Sequence, residues 1–263
     1  MTKLIAEIGW NHMGDMKLAE EMIIAAKESG CDYAKFQTWS VDHLKPGPWD
    51  DDGRREIYEK AELSKDDHYF LAGKCKENDI SFLTSCFNIN DIDFISSLST
   101  HVKIPGVESR NQKLVNAALD NFKHVYLSTG TSSLLELDYI KHKQNMTLMH
   151  CVSVYPCPAE LVNMRRMRFM KSYYNVPVGY SGHYEGTWDA FAAAYEGATV
   201  IEKHFTTDRS LPGRDNKFAL LPEDFKQIRD FVDEIPKMYS LNTFDYLRQE
   251  EGGRDMYTGR WSG

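Results

Sequence analysis

Nothing in this sequence pairs its cysteines: Cys31, Cys75, Cys86, Cys151 and Cys157 make an odd count with no CxxC spacing. Neither a disulfide framework nor a zinc knuckle is implied. Cys86 and Cys151 fall near expected strand ends, where buried, inert thiols are the expectation. Long apolar runs are missing too. None approaches the ~20 residues of a membrane helix, and MTKLIAEIGWNH has no basic stretch leading into an apolar one. A cytoplasmic protein without a membrane partner is expected. Positive charge is scarce, 31 basic against 39 acidic residues for a net −8. That balance argues against a nucleic-acid surface while leaving room for a local anion pocket. No internal repeat or low-complexity tract is present. The first expected strand is followed by GWNHMGD, a poor match to the glycine-rich phosphate fingerprint, which disfavours a doubly wound open sheet.

What is there is alternation. Strand-like runs at Lys3–Ile8, Tyr33–Gln37, Ile80–Thr84, His101–Ile104, Val125–Ser128, Met146–Cys151, Val178–Tyr180 and Thr199–Ile201 are separated by segments with helical spacing. Asp15 is a plausible first helix cap and Gly30 its stop; later helices are expected over Ser132–Lys141, after Asn163, and over Glu223–Ile235. The pattern predicts an α/β protein, a (β/α)8 TIM barrel in a single domain over residues 1–236. An irregular C-terminal tail is expected over residues 237–263, and a long polar loop over Thr38–Ser64.

In a barrel the chemistry sits at the carboxyl ends of the strands. His183 and His204 lie just past the last two apolar runs, where two neutral imidazoles can hold a divalent metal and leave positions open for substrate and water. For either histidine alone, the blander reading is a strand end bonded to backbone. The other ends present Glu7 with Asn11 and His12, Lys35 with Gln37, Ser85, Lys103 with Glu108, Ser128 with Thr129, Ser153 with Tyr155, Ser181, and Lys203. Lys35 and Lys103 among several hydroxyls suit a ligand carrying phosphate or carboxylate, whereas a single hydroxyl taken alone reads more simply as a helix cap.

Ordered motifs run through most of the chain: AEIGWNHMGD, KFQT, FLTSCF, KIPGVESRN, LSTG, HCVSVYPCP, VGYSGH and EKHFTTDRSLPGRDN. This series resembles the N-acetylneuraminate (sialic acid) synthases and their bacterial nonulosonate relatives. The resemblance implies condensation of phosphoenolpyruvate with the aldehyde of an N-acyl hexosamine such as N-acetylmannosamine, releasing phosphate. A divalent metal is implied as cofactor, manganese first and magnesium or cobalt as alternatives. Lys35, Lys103, Ser85, Ser128, Ser153 and Ser181 match the positions that grip phosphoenolpyruvate. Gln37, Glu108, Tyr155 and Asp215 match those that hold the sugar. Glu7 is suited to orient or deprotonate the water that the reaction consumes.

The chain departs from the family pattern at Gly106 in place of serine, at Ser85–Cys86 in place of Thr-Pro, at Ser153 where Asn is frequent, at Gly182 where GxSDH has aspartate, and at Asn216 where PGxDH has histidine. Typical members continue into a cap domain that donates an arginine to a partner's sugar site, and this sequence stops before it. A homodimer covered by its own tail, which carries Arg248, Arg254 and Arg260, or by a separate cap protein, is therefore expected. Two other readings remain at this stage: a sugar- or phosphate-binding regulatory barrel, and a different metal-assisted aldolase.

Overall fold

Closure of the sheet is the first feature of the computed structural model, which describes residues 2–141 and 143–261. Strands β1 (Lys3–Glu7), β2 (Tyr33–Thr38), β3 (Ser81–Cys86), β4 (His101–Ile104), β5 (His124–Ser128), β6 (Met146–Cys151), β7 (Val178–Gly182) and β8 (Val200–His204) pair in chain order. The barrel shuts where β8 runs parallel to β1, with Glu7 opposite His204. This is the expected (β/α)8 barrel.

Helices α1 (Met16–Glu28), α2 (Arg54–Ala61), α3 (Lys65–Glu77), α4 (Ile92–Leu98), α5 (Gln112–Asn121), α6 (Met164–Tyr174), α7 (Trp188–Tyr195) and α8 (Pro222–Met238) are distributed around it. Asp15 caps α1 by accepting from the Lys17 and Leu18 amides at 2.9 and 3.1 Å, satisfying donors that the first turn leaves unpaired. Ala19, Met22, Ile23 and Ala26 recur at helical spacing and are all buried against the strands. Each large apolar side chain buried in this way contributes about 1.5–3 kcal/mol. Gly30 ends the segment at φ +87°, a conformation that side chains with a Cβ resist.

Side chains on a strand alternate faces, so the lumen is read every second residue. Its lower layer is an apolar plug of Ile5, Tyr33, Leu83, Tyr126, Met149 and Val200. Two residues further along the same strands stand Glu7, Lys35, Ser85, Ser128, Cys151 and Glu202, all buried. The fold thus sets a polar layer on an apolar floor, closed to water from below.

Four expectations are corrected. The Thr38–Ser64 connection contains α2, a polar helix whose only buried residue is Ala61, so no apolar stripe announced it. Ser132–Lys141 forms a 3-10 segment, Leu135–Ile140, rather than an α-helix. The boundary drawn at 236 falls inside α8, which continues to Met238 through Pro236. The tail is not wholly irregular either: it carries helix α9 (Glu251–Tyr257), and residues 239–261 are exposed apart from Leu247. No described helix is long and apolar enough to cross a membrane.

Candidate active site

Two ion pairs fill the polar layer. Lys35 Nζ lies 2.7 Å from Glu7 Oε2 and donates to Ser85 Oγ at 2.9 Å. Lys103 Nζ reaches both oxygens of Glu202, at 2.7 and 2.8 Å. Ser181 Oγ donates to Glu202 at 3.0 Å, and Lys35 stands 3.8 Å from the same carboxylate, which joins the pairs into one cluster. Gln37 Nε2 donates to Glu7 Oε1 at 2.8 Å and is itself held by Trp39 Nε1. All four charged side chains are at most 7 % exposed.

Burial treats the two carboxylates differently. For Glu202 the cost of burial is outweighed by Lys103 and Lys35, which bring its carboxyl down to about 2. For Glu7 burial wins over the attraction of Lys35, and the nearby Glu202 charge adds to it, so its carboxyl is raised. Lys103 is lowered by burial despite its partner. Carboxyls pushed apart in this way suit different tasks, one fixed as an anion and the other able to exchange a proton.

The two histidines stand at the rim of this layer, ring centroids 5.4 Å apart. His183 Nδ1 bonds the Val152 carbonyl at 2.9 Å; as the donor it leaves Nε2 with a free lone pair. His204 Nδ1 is buried without a hydrogen-bond partner, 3.5 Å from Asp215 Oδ2. Burial pushes His204 down to about 4, so its imidazole is neutral near pH 7. No group of three or more His, Cys, Asp or Glu suited to an ion occurs among the described residues. The donors present are therefore two imidazoles: His204, neutral and with an orphaned buried nitrogen, and His183, whose Nδ1 is fixed on the Val152 carbonyl and which, against the effect of burial, is raised by the neighbouring Cys151 thiol. They fit a divalent ion that completes its shell from substrate and water.

Around them lie the remaining expected positions. The Tyr155 ring packs on His183 at 3.9 Å between centroids. Asp215 accepts from Trp10 Nε1 at 2.7 Å. Tyr155, Asp215, Arg214, Lys217 and Phe218 help line a 220 Å³ pocket, and Arg214 also lines a second pocket, of 420 Å³, with Asp52, Arg54 and Ile57. Ser128 is buried beside the Cys151 thiol. Ser153 Oγ lies 4.0 Å from Cys151 Sγ. Glu108, on the turn after β4, accepts from Asn111 at 3.0 Å rather than joining the ion-pair cluster.

Some signals were misread or missed. Lys203 does not face the mouth: it points to the outside of the barrel and pairs with Asp189 on α7 at 2.7 Å. Glu202 does face it. The signal was parity, because a strand that turns His204 inward must turn Glu202 inward and Lys203 outward. Arg214, in PGRDN, was overlooked as a lining residue. Cys86 behaves as expected of an inert thiol, pushed up to about 12 by burial. Cys151 does not: burial would raise it, but His183, with Sγ 4.0 Å from Nδ1, outweighs that and brings it down to about 7.

Two departures from the family pattern have local reasons. A Cβ on Gly106 would lie 2.7 and 2.9 Å from the Gly130 carbonyl oxygen and Cα, so the serine cannot fit unless that backbone moves. Asn216 ties its loop together, accepting from Thr206 at 2.6 Å and donating to the Asn11 and Pro212 carbonyls at 3.1 and 2.7 Å.

Comparison with known proteins assigns this barrel. The NeuB family matches residues 22–242. The chain belongs to the NeuB family. It is 33% identical over 256 residues to an N,N'-diacetyllegionaminic acid synthase of Campylobacter jejuni, covering 90% of this chain and 77% of that protein. The synthase of the same name from Legionella pneumophila is 36% identical over 247 residues, covering 86% and 69%. An N-acetylneuraminic acid (sialic acid) synthetase of Leptospira borgpetersenii, solved with citrate, superposes with a TM-score of 0.86 at 28% identity, covering 98% and 92%. The residue pattern of the NeuB-type barrel therefore accounts for nearly the whole described chain.

Proposed function

We propose that this chain condenses phosphoenolpyruvate with the open-chain aldehyde of an N-acyl hexosamine, giving a sialic-acid-type nonulosonate and inorganic phosphate. The observation that carries this reading is a buried Glu7–Lys35–Glu202–Lys103 cluster set beneath two paired imidazoles in a NeuB-family barrel. Lys35 and Lys103 bind the carboxylate and phosphate of phosphoenolpyruvate, with Ser85, Ser128, Ser153 and Ser181 supplying hydroxyl donors. The two ammoniums are paired with carboxylates, so neither is left buried alone. The entering anion shares the two ammoniums with their carboxylate partners, and the Gln37 amide goes on donating to Glu7, which stays ionised.

His183 and His204 would hold a divalent ion, manganese by preference. Such an ion acts as a Lewis acid towards the acceptor's aldehyde oxygen. Gln37, Glu108, Tyr155 and Asp215 orient the sugar so that its aldehyde carbon faces the enol carbon of phosphoenolpyruvate. The new C–C bond forms between those two carbons, water adds to the carbon bearing the phosphate ester, and phosphate leaves. Glu7 takes the proton that the water gives up.

The test is phosphate release from phosphoenolpyruvate assayed with and without manganese and with and without N-acetylmannosamine, extended over a panel of N-acyl hexosamines. Release that needs both additions is expected. Binding without turnover would favour a regulatory barrel, and aldol cleavage without phosphoenolpyruvate would favour an aldolase. Arg214, shared by the two pockets at the mouth, is proposed to contact the far end of the acceptor. Loss of one hydrogen bond from a charged donor costs about 1.5–3 kcal/mol, or roughly one to two decades in affinity. Arg214→Ala is expected to raise the acceptor KM accordingly with kcat little changed; an unchanged KM in steady-state assays removes Arg214 from the sugar site.

The chain is further proposed to work as a homodimer in which the tail contributes to the contact. Phe244 is 108% and Trp261 89% exposed, a burden of apolar surface that a partner subunit would relieve. Truncation after Met238 is expected to shift the species seen by light scattering from dimer to monomer. An undiminished dimer would place the interface on the barrel, or leave the mouth to a separate cap protein.

A further inference from the structure

Behind the two histidines, on the outer face of the barrel, lies a third buried ion pair, one that the reaction does not use. Lys203, between Glu202 and His204 on β8, donates to both oxygens of Asp189 at 2.9 and 2.7 Å and to the Tyr184 carbonyl at 2.6 Å. Asp189 belongs to the first turn of α7 and is 4 % exposed. Its other partners are the Tyr180 hydroxyl, which donates to Oδ2 at 2.9 Å, and the Ala190 amide, which donates to Oδ1 at 2.8 Å. The carboxylate is therefore fully satisfied, its four contacts reaching β7, β8 and α7, while Lys203 itself ties in the loop between β7 and α7 through the Tyr184 carbonyl.

Gly182 explains how that carboxylate gets there. A Cβ at position 182 would overlap Asp189 Oδ2 and the Tyr180 ring, so any larger residue would expel Asp189 from its place against Lys203. Position 182 is also where the resembling motif carries an aspartate of its own. Absence of a side chain at 182 and presence of a buried carboxylate at 189 are thus two halves of one arrangement. In this chain the carboxylate behind β7 is delivered from the helix rather than from the strand.

The consequence falls on the neighbouring residues. Gly182 precedes His183, and Lys203 precedes His204. Fixing Lys203 against Asp189 fixes the ends of β7 and β8 relative to each other, and with them the separation of the two rings. We infer that Asp189 is a positioning residue for the paired histidines, supplying from α7 the carboxylate that position 182 lacks and clamping Lys203 so that His183 and His204 face one ion. This inference rests on the reading that those histidines hold the metal.

The test measures Mn2+ affinity of the whole, metal-free protein by calorimetry, with thermal unfolding recorded in parallel. Outer-shell partners of metal ligands typically change affinity by roughly 10–100-fold, and Asp189→Asn is expected to lose that much at a temperature where it remains folded. Asp189→Ala with Gly182→Asp is expected to regain at least ten-fold over Asp189→Ala alone, the Tyr180 ring turning into the vacated space. A folded Asp189→Asn protein with wild-type affinity, while His183→Ala has lost binding, overturns the positioning role alone. Wild-type affinity in both variants overturns the metal assignment and the positioning role with it. If Asp189→Asn does not fold, the double variant decides: no gain over Asp189→Ala overturns the inference.

Discussion

Lys103→Met is expected to abolish measurable turnover and to remove about 3–5 kcal/mol of stability, the cost of leaving one member of a buried ion pair without its partner. That is a large share of the ~5–15 kcal/mol that holds a protein folded. The loss follows from geometry, because Lys103 reaches both oxygens of Glu202 and only Lys35, at 3.8 Å, would remain nearby. Its pH dependence has a definite sign. In the native protein Glu202 sits at about 2, below the ~4.3 of a free glutamate, so its pairing stabilises fully above that value and is lost only as pH falls towards 2. In the variant burial is no longer outweighed, the carboxyl moves up, and the protein is penalised wherever Glu202 must ionise. The gap in melting temperature between wild type and Lys103→Met should therefore widen from pH 4.5 to pH 8. A gap independent of pH would mean that Glu202 does not depend on Lys103. Adding Glu202→Leu should recover most of the stability, since an apolar pair can replace a buried ionic one, without recovering turnover.

That cluster was only half legible in the sequence. Strand and helix alternation was enough for the barrel, because the apolar runs were short, regularly spaced and broken by caps such as Asp15. The histidines were legible because each follows such a run directly. Glu202 was not, since β8 is buried on both faces along its whole length and a doubly buried parallel strand shows no polar alternation. Only the two-residue phase from His204 separates Glu202, inside, from Lys203, outside. The pairing of Lys103 with Glu202 joins strands 99 residues apart in sequence; it exists only once the barrel closes, and no local pattern encodes it. The lysines looked like free cations for the same reason.

Helix α2 and the tail show the opposite limit. The tail helix faces water throughout and α2 buries only Ala61 fully, and helical spacing becomes visible only when one face is selected for burial. Gly182 was legible as a departure but not as an accommodation, because the side chain it makes room for comes from a helix seven residues later. Departures in sequence at Gly106 and Gly182 thus have steric causes, one against the Gly130 backbone and the other against Asp189.

Glu7→Gln is expected to lower kcat by roughly 10²–10⁴-fold, the range that a positioned general base contributes, while the protein stays folded and still binds phosphoenolpyruvate. Glu7 is the one carboxyl of the cluster raised by burial, and it lies in the same layer as the two lysines, within the floor that a substrate anion would cover. Glutamine has nearly the same shape and can still meet Lys35 through its amide oxygen, with the Gln37 amide turning to suit, but it cannot accept a proton from water. Binding of phosphoenolpyruvate should change by only a few-fold, because Lys35 keeps its bond with Ser85. The pH profile separates this role from a structural one. A base must be ionised to act, so wild-type kcat should fall as pH drops through the raised value of Glu7, and that acid limb should vanish from whatever rate Glu7→Gln retains. Retention of the limb at full height, or a kcat within a few-fold of wild type, would assign the proton transfer to another group and leave Glu7 only as the counter-charge of Lys35.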